Sequence, residues 1–326
     1  MINLMKEEHY RLYDEREGLL LKHWVNYKGD RYLFKANYRY PMMNTYTNYG
    51  EVFYSRVLRK LGVNCVEAEF AIDTIQGAPT KGVLIKNYVT DEYMDSMSYK
   101  KIFDFYLNSK NNLKHLSKFS SVEACLLAVK DFADRFEFTV DYKQLEKDLV
   151  KMTICDFFFS QSDRHDNNIE FLFTHDREMK LAPIFDNGFN LGFPYFEELS
   201  QHYADENCKK AGSFNGAYTI FTLRDGESMN EKERELEQLD DIALYLKMHP
   251  KFITLVRDIA NVDVAKEIDE MEADCHFEIP PSYKTVGQTI LDTRLKIFEE
   301  YLVKNGETEL SRDIFGDRYE IVERQL

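Results

Sequence analysis

A long stretch without strong helix breakers is the feature that most limits the fold of this chain. No glycine occurs between Val83 and Asn187, and no proline occurs between Thr80 and Ala182. Glycine and proline are the residues that most disfavour a helix interior, so the stretch is predicted to be mainly helical. Three helices are predicted within it, at residues 98–110, 120–136 and 141–159.

The third predicted helix becomes apolar on nearly every face toward its end. A helix of this kind belongs in the middle of a lobe, so the segment after it is held by a rigid, buried element. That segment is polar and is followed by two predicted short strands, at 169–174 and 179–188. From residue 230 onward the pattern is helical again, with breaks at Pro250 and at Pro280 and Pro281.

The residues before the helical stretch have a different pattern. Strands are predicted at 18–25 and 30–38, joined by a hairpin turn, and further strands at 67–75 and 82–89. An amphipathic helix is predicted between the two pairs, at 49–61, with Gly62 as its stop. The chain is therefore predicted to be an α+β protein with two lobes. The smaller lobe (1–88) is rich in strands and has one helix, and the larger lobe (89–326) is mostly helical.

Composition excludes several classes of protein. The 326 residues include 42 Lys and Arg against 57 Asp and Glu, a formal net charge of −15, which gives no general electrostatic support for binding nucleic acid. The five cysteines form no paired spacing, so neither a disulfide framework nor a zinc site is expected. No signal peptide or transmembrane segment is recognisable, and the sequence does not indicate an oligomeric state. A cytoplasmic location is the default expectation, and release without a cleavable signal is also compatible with the sequence.

The polar segment S-D-R-H-D-N-N, at residues 162–168, carries the chemistry. Asp163 and Asn168 are close enough in sequence for a compact loop to bring their oxygens to one side of a cavity, and Asp186 follows at the end of a predicted strand. Such oxygen ligands suit Mg²⁺ that also binds substrate phosphates, which predicts phosphoryl transfer. Lys35 in a strand is placed to reach the phosphates, and Glu51 on the next helix to pair with it.

The string D-R-H-x-x-N at 163–168, followed by I-F-D-N-G at 184–188, resembles the catalytic and metal-binding motifs of the HipA-like serine/threonine kinases of bacteria. The resemblance implies a bilobal protein-kinase-like fold, ATP and Mg²⁺ as cofactors, a protein substrate and autophosphorylation. It also implies that Asp163 is the catalytic residue, that Asn168 and Asp186 are the metal ligands, and that Lys35 binds the nucleotide phosphates. The hinge between the lobes would lie near Lys86 and Tyr88.

The chain departs from the general kinase pattern in two places. No G-x-G-x-x-G loop is present, and only Gly18 is available to help cover the phosphates. Asp186 is followed by Asn187 and Gly188 where many protein kinases have Phe and Gly, so reasoning about a mobile Phe does not transfer.

Two other functions fit parts of the pattern. Phosphoinositide kinases carry a similar D-R-H-x-x-N string, although no concentrated basic block follows Asp186 to hold an inositol headgroup. A nucleotide-binding pseudokinase acting on protein partners through the Tyr- and Phe-rich segment 189–218 is the second alternative. Arg164 and His165 are expected to be structural, with the guanidinium of Arg164 paired to an acid.

Overall fold

The structure is a computed structural model, and it describes residues 1–15, 21–37, 39–40, 43–110, 121–195, 197–205, 231–275 and 278–316. The strands are β1 (Ile2–Asn3), β2 (His9–Glu15), β3 (Lys22–Tyr27), β4 (Asp30–Ala36), β5 (Arg39–Tyr40), β6 (Met43–Asn44), β7 (Ala68–Ile75), β8 (Ala78–Lys86), β9 (Tyr93–Ser98), β10 (Glu170–Thr174) and β11 (Met179–Leu181). The α-helices are α1 (Thr47–Lys60), α2 (Tyr99–Lys110), α3 (Val122–Phe136), α4 (Tyr142–Phe158), α5 (Glu197–Asp205), α6 (Glu231–Met248), α7 (Ile253–Ala260), α8 (Val264–Cys275), α9 (Pro281–Lys304) and α10 (Thr308–Phe315).

The N-terminal part is built on a six-stranded sheet with the order β1, β7, β8, β4, β3, β2. Its strands are antiparallel except for β1, which pairs in parallel with β7. The β3–β4 hairpin turns at Lys28–Gly29 and the β7–β8 hairpin at Gln76–Gly77. Both residues of each turn have positive φ, as two-residue turns between twisted strands require. The predicted order of two strands, a helix and two strands is confirmed.

The two N-terminal strands, β1 and β2, were not predicted from the sequence. β2 is an edge strand with exposed side chains at Tyr10 and Leu12 and a shift of register between Arg11 and Tyr13. An edge strand of this kind lacks the regular alternation of apolar and polar residues by which a half-buried strand is recognised. β1 has only two residues. β1 is held by pairing with β7, about seventy residues later, and β2 pairs with β3, the next strand in the chain.

The six-stranded sheet curls on itself, and a buried polar pair shows how far. His23 on β3 and Asp73 on β7 are separated by two intervening strands, yet His23 Nε2 lies 2.6 Å from Asp73 Oδ2. His23 is fully buried and its ring stacks on Phe34 at 5.1 Å between centroids. His9 Nε2 lies 3.7 Å from the other oxygen of Asp73. The curl therefore encloses a small core that contains one carboxylate.

Replacing Asp73 by Asn is expected to destabilise the protein by about 1–3 kcal/mol at neutral pH, because a buried hydrogen-bonded carboxylate is lost. Burial alone would raise the pKa of Asp73, but the hydrogen bonds from His23 and the Thr74 amide outweigh it and hold the pKa below its usual value. Because the folded pKa is lowered, this stabilisation is present above the ordinary carboxyl pKa and is lost as the pH falls through the folded value.

Urea unfolding at neutral and at acidic pH measures this difference, with the exposed Asp95 replaced by Asn as the matched control. The gap in unfolding free energy between the wild type and the Asp73 variant should narrow at acidic pH, while the control stays close to the wild type throughout. A gap of equal size at both pH values would contradict the assignment of the lowered pKa.

The helices after the sheet begin and end where local chemistry sets their limits. The side chain of Ser121 accepts a hydrogen bond from the Ala124 amide at the start of α3, and Asp141 accepts from the amides of Lys143 and Gln144 at the start of α4. The three predicted helices of this stretch are confirmed as α2, α3 and α4. Residues 152–159, at the end of α4 and just beyond it, are all buried, as the apolar end of the predicted helix indicated.

The buried apolar residues of the described ranges form two separate hydrophobic cores. The smaller lies inside the curl of the sheet and includes Val25, Phe34 and Leu84. The larger joins α1 and the outer face of the sheet, for example Phe53 and Phe70, to the helices of the C-terminal part. The molecule thus combines a curled sheet with a mostly helical second part, and the predicted α+β fold with two lobes is confirmed.

The described cysteines Cys65, Cys125 and Cys155 are buried and carry free thiols. No helix in the described ranges is both long and apolar enough to cross a membrane.

Candidate functional site

The loop after α4 is fixed to the segment around Asp186 by one buried glutamine. Gln161 accepts a hydrogen bond from the backbone amide of Asp163 (3.2 Å) and donates one to the backbone oxygen of Asp186 (3.2 Å). Gln161 is fully buried, so water does not compete for these bonds. Two segments more than twenty residues apart are thereby held side by side.

Asn168 closes the loop through a contact with the backbone of Asp163. Residues 166–168 form one turn of 3₁₀-helix, and the side-chain amide of Asn168 donates to the backbone oxygen of Asp163 at 2.8 Å. With its nitrogen used in this way, the amide oxygen of Asn168 remains as a ligand atom. Asp163 and Asn168 therefore form one compact unit, with the side chain of Asp163 partly exposed.

Lys35, Glu51 and Asp186 meet in the structure. Lys35 Nζ lies 3.1 Å from Glu51 Oε2 and also contacts Asp186 Oδ1. The backbone of Asp186 is left-handed, with φ of +55°, a conformation that Asp tolerates better than most residues. The expected Lys35–Glu51 pair is present, and Lys35 has Asp186 as a second acidic partner.

The charges in this cluster determine the protonation of each group. Burial alone would lower the pKa of Lys35, but Glu51 and Asp186 outweigh it and raise the pKa, so the ammonium stays charged. Burial would raise the pKa of Asp186, but Lys35 outweighs it and lowers the pKa. Burial, reinforced by the negative charge of Asp186, raises the pKa of Asp163. When all are ionised, the carboxylates of Glu51, Asp163 and Asp186 and the ammonium group of Lys35 give the cluster a net charge of −2.

The oxygen ligands offered here fit Mg²⁺ better than they fit a metal ion coordinated entirely by protein side chains. Asn168 and Asp186 offer hard oxygen ligands beside a cluster with a net negative charge. Among the described residues, no group of three or more His, Cys, Asp or Glu side chains could hold a metal ion. An ion bound through few protein oxygens needs phosphate oxygens and water to complete its coordination, which is the usual arrangement for Mg²⁺ with a nucleotide.

The remaining predicted nucleotide-binding residues are placed differently. Tyr88 donates a hydrogen bond to Glu170, and its ring lies 5.7 Å from that of Phe185, the residue before Asp186. The side chain of Lys86 does not join the cluster, because its Nζ pairs with Asp30 at 2.7 Å on the exposed side of the sheet. Gly18 lies outside the described residues, as do residues 206–218 of the Tyr- and Phe-rich segment.

A buried ring of polar contacts supports the cluster, and most of these contacts were not predicted from the sequence. Tyr54 donates to one oxygen of Asp156 (2.8 Å), and Arg164 donates to the other (3.0 Å). Arg164 also donates to Asn187 Oδ1 (2.7 Å), and the backbone N–H of Asn187 donates to Glu51 Oε1 (2.9 Å). Glu51 and Tyr54 lie one turn apart on α1, so these five residues form a closed set, called here the polar ring.

The prediction that Arg164 pairs with an acid is confirmed, and its partner is Asp156. Arg164 also donates to the backbone oxygens of Asn168 and Phe185, so one guanidinium joins the loop, the Asp186 segment and α4. The sequence signal for Asp156 is that it is the only charged residue in the apolar end of α4. A buried carboxylate needs a partner.

Close backbone packing places α1 against the segment after Asp186. A Cβ atom added to Gly50 would lie 2.5 Å from the backbone oxygen of Gly188, and one added to Gly188 would lie 2.9 Å from that of Thr47. The approach is therefore open only to residues without side chains. It brings Glu51 within reach of both Lys35 and Asn187.

The fold and this cluster together define a kinase-like bilobal architecture. No protein-family model matches the sequence, and no curated protein matches it either. The chain is similar in structure to the proinflammatory kinase CtkA of Helicobacter pylori, with 18% sequence identity and a TM-score of 0.65 over 94% of this chain and 98% of that one. This similarity confirms, at the level of the fold, the resemblance drawn from the sequence motifs.

A second similar structure is the complex of HipA, HipB and operator DNA from the toxin–antitoxin system of Shewanella oneidensis MR-1. The match has 11% identity and a TM-score of 0.49, over 90% of this chain and 64% of that chain.

Proposed function

We propose that this protein is an ATP-dependent serine/threonine protein kinase that uses Mg²⁺ and also phosphorylates itself. The contact of Lys35 with both Glu51 and Asp186, beside the loop that carries Asp163 and Asn168, is the observation that carries the proposal. These residue types in this order meet the needs of phosphoryl transfer, namely a cation for the phosphates, oxygen ligands for a metal, and a carboxylate near the acceptor. Residues 1–88 would bind the nucleotide and residues 89–326 the protein substrate.

Each side chain has a distinct part in the proposed reaction. Lys35 would bind the nucleotide phosphates while Glu51 holds its Nζ in place. Asn168 and Asp186 would hold Mg²⁺, which when bound neutralises charge on the phosphates. Asp163 would orient the acceptor hydroxyl and take its proton as the hydroxyl oxygen bonds to the γ-phosphorus and the bond to ADP breaks. Tyr88, Lys86 and Gly18 stay predictions for the hinge and the phosphate cover.

Incubation of the purified protein with γ-labelled ATP and Mg²⁺ tests the proposal. Three samples are compared: the protein alone, with a generic protein substrate, and with phosphoinositide vesicles. Label on Ser or Thr that is absent with Asp163→Asn supports a protein kinase. Label on lipid would replace the proposal with a lipid kinase. Nucleotide binding without any transfer would replace it with a pseudokinase.

Replacing Lys35 by Met is expected to raise the KM for ATP by about 10-fold or more, because a charge-assisted contact to the phosphates is lost. The variant also leaves the carboxylates of Glu51 and Asp186 without their shared cation, which adds repulsion toward an anionic ligand. Initial rates over a range of ATP concentrations measure the effect. Lys180→Met, which removes an exposed lysine paired with Glu178, is the matched control. An unchanged KM in the Lys35 variant would remove this residue from the nucleotide site.

A further inference from the structure

The residue after Asp186 has an environment that its sequence does not suggest. Asn187 and Gly188 form a dipeptide typical of exposed turns, yet the Asn187 side chain is fully buried. At the corresponding place many protein kinases have a Phe whose packing differs between active and inactive states. Here the position is occupied by an amide, which can be satisfied only by specific donors and acceptors.

All the polar groups of Asn187 have partners. Its Oδ1 accepts from Arg164 at 2.7 Å, and its Nδ2 lies 3.2 Å from Ser55 Oγ and 3.2 Å from Cys65 Sγ. Its backbone amide donates to Glu51 at 2.9 Å, and its backbone oxygen accepts from Asn190 at 2.5 Å. A buried group with this many contacts has little freedom to move, because any displacement leaves several polar groups unpaired.

Two of these contacts act on the proposed reacting groups. One carboxylate oxygen of Glu51 accepts from the backbone N–H of Asn187, and the other accepts from Lys35. The position of Lys35 Nζ is therefore fixed relative to the backbone that carries Asp186. Arg164 ties the same residue to the loop that carries Asp163 and Asn168. Asn187 therefore lies where the three segments of the site are joined, although it has no direct contact with Lys35, Asp163 or the Asn168 side chain among the described contacts.

Uncharged neighbours on the side opposite Arg164 keep the side-chain amide of Asn187 in one orientation. Burial raises the pKa of the Cys65 thiol to about 11, so it stays protonated at neutral pH and donates to the backbone oxygen of Ile184. Its sulfur then accepts from Asn187 Nδ2, as does the hydroxyl of Ser55. With donors and acceptors distributed in this way, the Asn187 oxygen faces Arg164 and the nitrogen faces Ser55 and Cys65.

We propose that Asn187 is a positioning residue, which holds Asp186 and Glu51 in the arrangement that binds Mg²⁺ and ATP phosphates. The proposal rests on the proposed kinase function and deepens it. It assigns to a buried amide the place that a mobile aromatic side chain has in other kinases. In this chain the link between α1 and the metal-binding segment is a fixed set of hydrogen bonds.

Replacing Asn187 by Ala tests the proposal. The Mg²⁺ concentration for half-maximal transfer and the KM for ATP are each expected to rise by about 10-fold, the size of effect known for residues that orient metal ligands. Ser200→Ala is the matched control, because Ser200 is buried and bonded to Ser282, outside the polar ring. A loss of stability alone lowers the fraction of active protein and leaves both constants unchanged, as is expected for the control.

A folded Asn187→Ala protein with wild-type constants for Mg²⁺ and ATP would overturn the proposal, whatever its maximal rate. If this variant does not fold, Asn187→Ser is measured in its place, because its hydroxyl keeps one polar group in the buried site but ends one bond short of the Oδ1 that accepts from Arg164. It is expected to shift both constants in the same direction, and unchanged constants would again overturn the proposal. Calorimetric titration with ATP and Mg²⁺ reads out the same shift in binding. If the wild-type protein binds ATP and Mg²⁺ but transfers no phosphate, the proposed kinase function is contradicted, and the positioning role of Asn187 can still be measured from binding.

Discussion

Replacing Asp163 by Asn is expected to lower the rate of phosphoryl transfer by about 100-fold or more, with little effect on the KM for ATP. The substitution keeps the size of the side chain and removes its capacity to accept a proton. The contacts that position the residue are made by its backbone, whose amide donates to Gln161 and whose oxygen accepts from Asn168, and these persist in the variant. Single-turnover assays with labelled ATP measure the loss directly.

The matched control for this variant is Asp166→Asn, which makes the same change three residues away in the same loop. Asp166 begins the 3₁₀ turn and lies 3.9 Å from His165, with no role assigned to it in the reaction. It should retain a rate close to that of the wild type. A full rate in the Asp163 variant would mean that this carboxylate does not serve the acceptor, and the proposed reaction would need another base.

Asp186→Asn is expected to lower transfer by about 100-fold or more as well, but through the metal, because an amide is a weaker ligand for Mg²⁺ than a carboxylate. The left-handed backbone at this position suits Asn as well as Asp, so the substitution adds no strain. Lys35 loses one of its two acidic partners and keeps Glu51. The fold should therefore remain intact.

The two aspartate variants differ in what they do to ATP binding. Calorimetric titration of ATP with and without Mg²⁺ should show that the contribution of Mg²⁺ to affinity is largely lost with Asp186→Asn and retained with Asp163→Asn. If both variants bind Mg²⁺ and ATP like the wild type, Asp186 is not a metal ligand. If both variants lose the contribution of Mg²⁺ to ATP affinity, Asp163 also binds the metal, and its proposed role as proton acceptor is contradicted.

Local pattern was enough to predict most elements and the loop that carries the site. The apolar end of α4 placed residues 160–168 next to a rigid, buried helix. The expected convergence of the Asp163 carboxylate and the Asn168 amide oxygen on one cavity stays a prediction. The order of Lys35 in a strand and Glu51 on the next helix predicted a pair that the structure contains. These features depend on neighbours along the chain or on one known arrangement of elements.

The features that were missed depend on contacts between distant segments. Asn187 and Gly188 have the composition of an exposed turn, and only the packing of α1 over them buries the amide. Asp156 needs Tyr54 and Arg164, which arrive from a helix a hundred residues earlier and from the following loop. β9 pairs with β10, more than seventy residues later, and has exposed side chains at Met94 and Asp95. Periodicity carries no information on such pairings.

The larger core has a consequence for how the molecule comes apart. Helix α1 lies in sequence between the strands of the curled sheet, yet Val52, Phe53 and Val57 belong to the same core as the helices of the C-terminal part. Lys60 at its end pairs with Glu267 on α8. Unfolding of the C-terminal helices would therefore uncover the apolar side of α1, although α1 precedes the predicted lobe boundary at residue 88. A fragment that ended there would carry α1 without the surface that keeps it folded.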